Sequence, residues 1–497
     1  MLRHVSLRGA LCTLYALLVL WLVGYCLLRY LDSTKTSLQD HHRNVFENYN
    51  SHKTQFHFLQ LDDDDDNLHK ETKNLSIQEV QLKHPTNQLS GDYLRSLVFH
   101  PNPHLPTISM CSDIIEGDKE AIETSQLGLL EMKSTFFQKK LEMFASLEED
   151  VLKAAQNCSL FKRSRKYIEI PLTPEEKAYP IAYVITIHKQ VAMFERLLRA
   201  IYQPQNLYCI HVDKKSPATF LSAVEKISNC FENVFVASNL TDVHYTHFSR
   251  VQADINCLQD LAAKRNIVRW KYVINLCGLD YPLKTNLEMV RSLKNLHGYN
   301  NLETFTTPAH KKQRYLFRYV LPTDNDVNYS VMRKTDISKS QSPLDTPMFA
   351  GSAYFIFKYK AVECILTDPV IKTFLKWNED TYSPDEHIWG TLQRWYPNLP
   401  GSFPPHIKYD LNELQSITRL VKWGGMDTEV YPKCAGTYVR GVCVYGVGDL
   451  SWLLRQHHLF ANKFNFDIDP FAVECLDRWL RNRTIVQTLK YISNGFV

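Results

Sequence analysis

The chain has 497 residues, 44% of them hydrophobic and 22% charged, and carries a formal net charge of +4. That balance excludes global disorder and leaves room for one large catalytic domain or two ordinary ones. A charge so small for the length gives no reason to expect a nucleic-acid partner.

Residues 1–8 read as a cytoplasmic tail and Gly9 to Leu28 as an uncleaved transmembrane signal anchor. The latter stretch has no charged residue and, as a helix of roughly 30 Å, is long enough to cross a bilayer. Arg3 and Arg8 precede it while Arg29 and Lys35 follow it, so flanking charge does not decide orientation. Two features do. The N-x-[S/T] sequons at Asn74, Asn157, Asn239, Asn328 and Asn482 all follow the span, as do all but Cys12 and Cys26 of the 12 cysteines. No CxxC or Cys/His zinc spacing occurs, so disulfides in an oxidising lumen are the expectation. The chain reads as a single-pass type II membrane protein.

Residues 29–110 form a polar stem, and the acidic run Asp62 to Asp66 in it reads as solvated linker. Residues 111–165 form a helical lead-in, with apolar side chains recurring at helical spacing from Ile114 to Ala155. A catalytic domain is expected over 166–480 and a C-terminal tail over 481–497. Its first strand is Ile181–Ile187, a continuous apolar run of the kind buried on both faces. Helix Val191–Tyr202, strand Leu207–Val212, helix Ala218–Ile227, strand Val234–Ala237, helix Val251–Ala263 and strand Tyr272–Leu276 follow. This alternation predicts an α/β domain with a largely parallel sheet.

Ligands collect beyond the carboxyl ends of such strands, where His188 and Asp213 fall. Asp213 can accept hydrogen bonds from a nucleotide or cap the helix after Pro217. In Tyr382-Ser-Pro-Asp-Glu386, Ser383 suits an N-cap, Pro384 the first helical position and Glu386 the third, which is a capping box. A helix N-terminus would also keep Glu386 ionised and fit to act as a general base. Arg440 and Lys463 lie among apolar residues, where a diphosphate or a carboxylate such as Asp449 or Asp469 would balance them. Asp324-Asn-Asp326 and Asp467-Ile-Asp469 have the letters of a metal-binding Asp-x-Asp, but neither follows a clear buried strand. Trp423 can stack on a sugar or simply pack.

Long collinear stretches carry a more specific signal. PIAYVITIHK (180–189), LLRAIYQPQNLYCIHVDKK (197–215), CFENVFVAS (230–238), WKYVINLCGLDYPLKTN (270–286), GSAYFIF (351–357) and DTYSPDEHIWGTLQR (380–394) are among them. So are PGSFP (400–404), VCVYGVGDLSWLLRQHHLFANKF (442–464) and DPFAVECL (469–476). In these residues the chain resembles the core 2 β1,6-N-acetylglucosaminyltransferases and their I-branching relatives. The resemblance implies a glycosyltransferase-A (Rossmann-like) fold in the Golgi and UDP-N-acetylglucosamine as donor. It also implies inversion at the anomeric carbon and no metal or other cofactor. The acceptors would be O-glycosylated glycoproteins.

By the same resemblance Glu386 is the base, and Arg440 and Lys463 neutralise the departing diphosphate. His188, Asp213 and Tyr245 would contact the nucleotide, and Glu303, Lys311, Arg314 and Trp423 the acceptor. The implied disulfides are Cys111–Cys475, Cys158–Cys230, Cys209–Cys257 and Cys434–Cys443, with Cys277 a free thiol. Cys364 has no counterpart and is expected as a buried helix thiol. Two positions after Trp423 the core 2 enzymes carry a Tyr where this chain has Gly425, whereas Asn301-Leu-Glu303-Thr is core 2-like. Acceptors of the I-branching or core 4 reaction therefore stand as alternatives. A glycan-binding protein without catalysis and a two-carboxylate glycosidase stand further off.

Overall fold

A computed structural model describes residues 89–99, 110–135, 149–322, 331–403, 416–428 and 431–493. The expected anchor, most of the stem, the sequons at Asn74 and Asn328, and Asp324–Asp326 lie outside the described residues. Among the described residues no helix is long and apolar enough to cross a membrane.

The strands are β1 (Ile181–Ile187), β2 (Leu207–Val212), β3 (Val234–Val236), β4 (Tyr272–Cys277), β5 (Asp280–Pro282), β6 (Asn301–Thr306) and β7 (Phe317–Val320). They continue with β8 (Arg333–Ser338), β9 (Phe349–Lys358), β10 (Leu420–Val421), β11 (Thr437–Val439), β12 (Val442–Val444) and β13 (Phe460–Asn462). The main sheet has the order β3-β2-β1-β4-β9-β6. Its first four strands run parallel, β9 lies antiparallel to β4, and β6 antiparallel to β9. The expected parallel βαβ half is present with boundaries within a residue or two. The antiparallel β9 and β6 complete a mixed sheet.

The apolar run of β1 is central, and Ile181, Ala182, Tyr183, Val184 and Ile185 are fully buried. Each Ile or Val among them contributes about 1.5–3 kcal/mol of transfer free energy. One core layer joins β1, β2 and β4 to helix Ser249–Ala263 through Val184, Cys209, Val251, Leu258 and Val273. Cys209–Cys257 ties that helix to β2. A second core packs Ile114 and Cys111 against Leu450, Leu453, Phe471 and Cys475. Cys111–Cys475 closes it across 364 residues. Cys158–Cys230 and Cys434–Cys443 are joined as well.

Three local expectations change. The helical lead-in is interrupted: helices Cys111–Glu116 and Lys119–Thr135 are separated at Gly117, whose φ of +90° ends the first helix in the left-handed region. Leu94 and Leu97, expected in the stem, are buried against Ile168, Leu172 and Ile485. The C-terminal helix Pro470–Ser493 runs unbroken through position 480, with Arg481, Arg483 and Ile485 buried. A buried ionic cluster explains its hold on the domain. Arg196 bonds Glu474 at 3.1 Å and Asp477 at 3.3 Å, and Arg199 bonds Asp477 at 2.6 Å.

Candidate active site

His188 follows β1 and Asp213 follows β2, at the carboxyl edge of the parallel strands. The helix after Asp213 begins at Ala218 with no side-chain cap, so the capping alternative falls. The Asp213 carboxylate instead accepts from the backbone amides of Lys215 (3.0 Å) and Val243 (3.3 Å), fixing the turn between two loops. Burial and the neighbouring Lys189 push the His188 imidazole below its ordinary value, against the pull of Asp213. Tyr245 is 65% exposed, and the Arg440 guanidinium lies 5.8 Å from its ring centre.

Arg440 sits at the tip of the β11–β12 hairpin. Arg440 (φ +52°) and Gly441 (φ +77°) both occupy the left-handed region, as a two-residue primed turn requires. Cys434–Cys443 ties the segment before β11 to the middle of β12, and the Lys463 ammonium donates to the carbonyl of Val439 at 3.2 Å. Burial lowers the proton affinity of Lys463, and the charges of Arg440 and Lys189 lower it further. The carboxylates considered as alternative partners are engaged by the backbone. Asp449 accepts from Ala435 (3.0 Å) and Gly446 (2.8 Å), and Asp469 from Val447 (3.0 Å) and Ala472 (2.9 Å).

Glu386 lies on a 3-10 turn, Pro384–Glu386, and the capping box does not form. Ser383 is in the left-handed region at φ +46°, held by its amide on the carbonyl of Thr246, and its hydroxyl caps nothing. The Glu386 side chain turns to helix Ala309–Leu316. There Arg314 donates to Oε2 at 2.7 Å and Lys311 at 3.1 Å. Burial alone would raise this carboxyl, but the two cations outweigh it and hold it below the usual range. Both bonds fall on Oε2.

Glu303 joins the same group from β6. The β6–β9 register shifts between Leu302 and Thr304, and such a bulge re-aims the side chain it carries. Gly351 makes this possible, because a Cβ there would meet the carbonyl oxygen of Glu303 at 2.2 Å. Burial, together with Glu386, raises Glu303 to about 7, while Lys311 opposes. Trp423 is 47% exposed beside Val442, and a Cβ on Gly425 (φ +86°) would meet nothing within 4 Å among the described residues.

Sequence reasoning missed three groups. Lys189, directly after His188, adds a third positive charge near Lys463 and His188. Asp385 is raised to about 6, first by burial and then by Glu386. Behind it Arg250 pairs with the fully buried Asp254 at 2.8 Å. Adjacent carboxylates in the Ser-Pro-Asp-Glu segment were the available signal for Asp385, and nothing local marked Arg250.

Cys277 is free, receives the Asn462 amide at 3.3 Å, and burial raises its thiol to about 11, so it stays protonated. Cys364 is free but only half-buried, contrary to the expectation of a buried thiol, because its helix lies near the surface. Among the described residues Cys434, Cys443 and Asp449 lie close enough to hold a cation. The sulfurs are joined as a disulfide and the carboxylate takes backbone amides, which leaves no thiolate ligand. Asp467 accepts from the Gln190 amide. The sequon residues Asn157, Asn239 and Asn482 are exposed.

The model of the Core-2/I-Branching enzyme family matches residues 181–454. A human β-1,3-galactosyl-O-glycosyl-glycoprotein β-1,6-N-acetylglucosaminyltransferase is 47% identical over 386 residues, 77% of this chain and 86% of that protein. The protein of that name from Bos taurus is 48% identical over 385 residues, 76% of this chain and 86% of its own. The human protein so named with the number 3 is 44% identical, covering 76% of this chain and 84% of its own.

Proposed function

This chain belongs to the Core-2/I-Branching enzyme family, and on that premise we propose that it builds core 2 branches on mucin-type O-glycans. As a glycosyltransferase of the β1,6-N-acetylglucosaminyl type it has a donor and a hydroxyl acceptor to bring together. The donor in this reading is UDP-N-acetylglucosamine. The acceptor is the C6 hydroxyl of the GalNAc in Galβ1-3GalNAc, linked to Ser or Thr of a glycoprotein in the Golgi lumen.

The carrying observation is the charge arrangement: one ionised carboxylate held by Lys311 and Arg314, and a separate set of crowded cations, Arg440 and Lys463. Oε1 of Glu386 takes the proton of the acceptor hydroxyl as its oxygen attacks C1 of N-acetylglucosamine from the face opposite the diphosphate. The C1–O bond to the β-phosphate breaks, the configuration inverts, and UDP leaves with the electron pair. Arg440 and Lys463 stabilise that developing charge without reorganising, which is the task a metal performs in other sugar transferases. His188, Asp213 and Tyr245 hold the nucleotide. Glu303, Lys311, Arg314 and Trp423 orient the acceptor.

A second acceptor class is favoured by one observation, the space that the described residues leave open at Gly425 beside Trp423. A lactosamine chain or a core 3 glycan would use that room, giving I or core 4 branches. The test is sugar transfer by the full-length protein in detergent, with UDP-N-acetylglucosamine, EDTA and each acceptor in turn. Product linked to C6 of GalNAc in Galβ1-3GalNAc supports the main reading. Transfer to lactosamine or core 3 alone would replace it with the second. Loss of all transfer in EDTA, restored by manganese, would overturn the metal-free mechanism.

A further inference from the structure

Resting on that reading, we infer that the β7–β8 ribbon is a docking surface for the acceptor's polypeptide and selects acidic sequence beside the glycan. The chemistry demands that a polypeptide come close. The GalNAc whose C6 hydroxyl reacts is joined through its own C1 to Ser or Thr, so the backbone passes within about one sugar ring of the reacting oxygen. The surface flanking Glu386 on the acceptor side therefore meets peptide.

That surface is the ribbon. Helix Ala309–Leu316, which places Lys311 and Arg314 on Glu386, passes directly into β7. The segment leading to Glu386 is fastened to it: the Tyr382 amide donates to the Arg314 carbonyl at 3.0 Å, and the Tyr319 amide to the Asp380 carbonyl at 2.9 Å. The buried Lys339 ammonium, just after β8, binds the Asp380 carboxylate. Backbone hydrogen bonds and an ion pair thus fasten the ribbon to the segment that carries the base.

Its exposed side chains are cationic and apolar. Lys312 on the helix and Arg318, Arg333 and Lys334 on the strands are all exposed, against Asp336 as the acid on the two strands. Among the described residues, Arg318 has a carboxylate in ion-pair range, Asp380 at 3.5 Å, whereas Lys312, Arg333 and Lys334 have none. Lys334 lies 3.8 Å above the Phe317 ring, which fixes its position. Leu316, Val320 and Ile337 are 51%, 51% and 56% exposed between these charges. Lys312, Arg333 and Lys334, which meet no carboxylate among the described residues, are interleaved with apolar surface and fit an extended segment rich in Asp and Glu, whose charges steer it in and whose backbone covers the apolar side chains.

The experiment uses the full-length protein with three acceptors: free Galβ1-3GalNAc, and that disaccharide on two peptides with acidic or neutral flanks. The variant is Arg333→Gln with Lys334→Gln, both far enough out on the surface to leave folding intact. The parent should favour the acidic glycopeptide by about 3- to 10-fold in kcat/KM, and the preference should fade at high salt. The variant should lose it while transferring to the free disaccharide at the parent's rate. Equal use of the two glycopeptides by the parent, or a preference that survives in the variant, overturns the inference. So does a variant that changes oligomeric mass while the preference persists, since the ribbon would then join copies of the chain. Absence of transfer to every Galβ1-3GalNAc acceptor would instead overturn the proposed function, and this inference with it.

Discussion

Replacing Glu386 by Gln removes the charge and keeps the shape. The amide oxygen can still accept from Arg314, now at 2.7 Å from Oε2, so the side chain should stay where it is. What disappears is the basic lone pair on the other oxygen. Loss of a positioned general base costs about 10²- to 10⁴-fold in rate, or about 3–5 kcal/mol of transition-state stabilisation. The loss should fall on kcat, with acceptor KM moving by less than about 3-fold, since the binding groups remain. Stability should hardly change. The Glu386 side chain is 33% exposed and each cation 23%, so the lost pairing is worth at most about 1 kcal/mol. The assay is steady-state transfer by the full-length protein, with UDP binding and thermal unfolding measured on the same preparation. A kcat within 10-fold of the parent, in a protein that folds and binds UDP, would refute the assignment of the base.

The same geometry predicts how activity responds to pH. Lys311 and Arg314 depress the Glu386 carboxyl, so its ionised form persists to lower pH than an ordinary Glu. Lys311→Met should shift the acid limb of kcat/KM upward, and an unmoved limb would remove Lys311 from this role. Glu303 behaves oppositely: raised to about 7, it is neutral below that pH and charged above it. As a carboxylate it accepts stronger hydrogen bonds from sugar hydroxyls, so acceptor KM should fall as pH rises through about 7, and Glu303→Gln should flatten that step. Replacing Cys434 and Cys443 together by Ser should loosen the Arg440 hairpin and raise donor KM on the order of 10-fold, with acceptor KM unchanged. Asp477→Asn should leave Arg196 and Arg199 inadequately compensated in the interior and cost about 3–5 kcal/mol in denaturant unfolding, without altering KM for either substrate.

The parallel half of the sheet was legible in the chain because its signals are local. The run Ile181–Ile187 must be buried on both faces, and the helices between strands show their own apolar period. His188 and Asp213 followed, since a residue just beyond such a strand lies at the sheet's carboxyl edge. Resemblance to known transferases supplied the roles proposed for Glu386, Arg440 and Lys463, which spacing left open. Local pattern misread Ser383 as a cap, because contacts with the distant Thr246 and Arg314 hold Ser383 and Tyr382 in another conformation. It also gave no warning that the helical lead-in is divided at Gly117.

Only the folded chain decides which charges meet. Glu303, Lys311 and Arg314 are up to 83 residues from Glu386 in sequence (386 − 303), and β6, β9 and the helix before β7 bring them to one carboxylate. Arg440 and Lys463 approach each other through a hairpin and a strand end that carry no shared motif. Sequence records what each side chain can do, but the energy of a charge depends on its neighbours and on the water excluded around it. Those are properties of the tertiary structure.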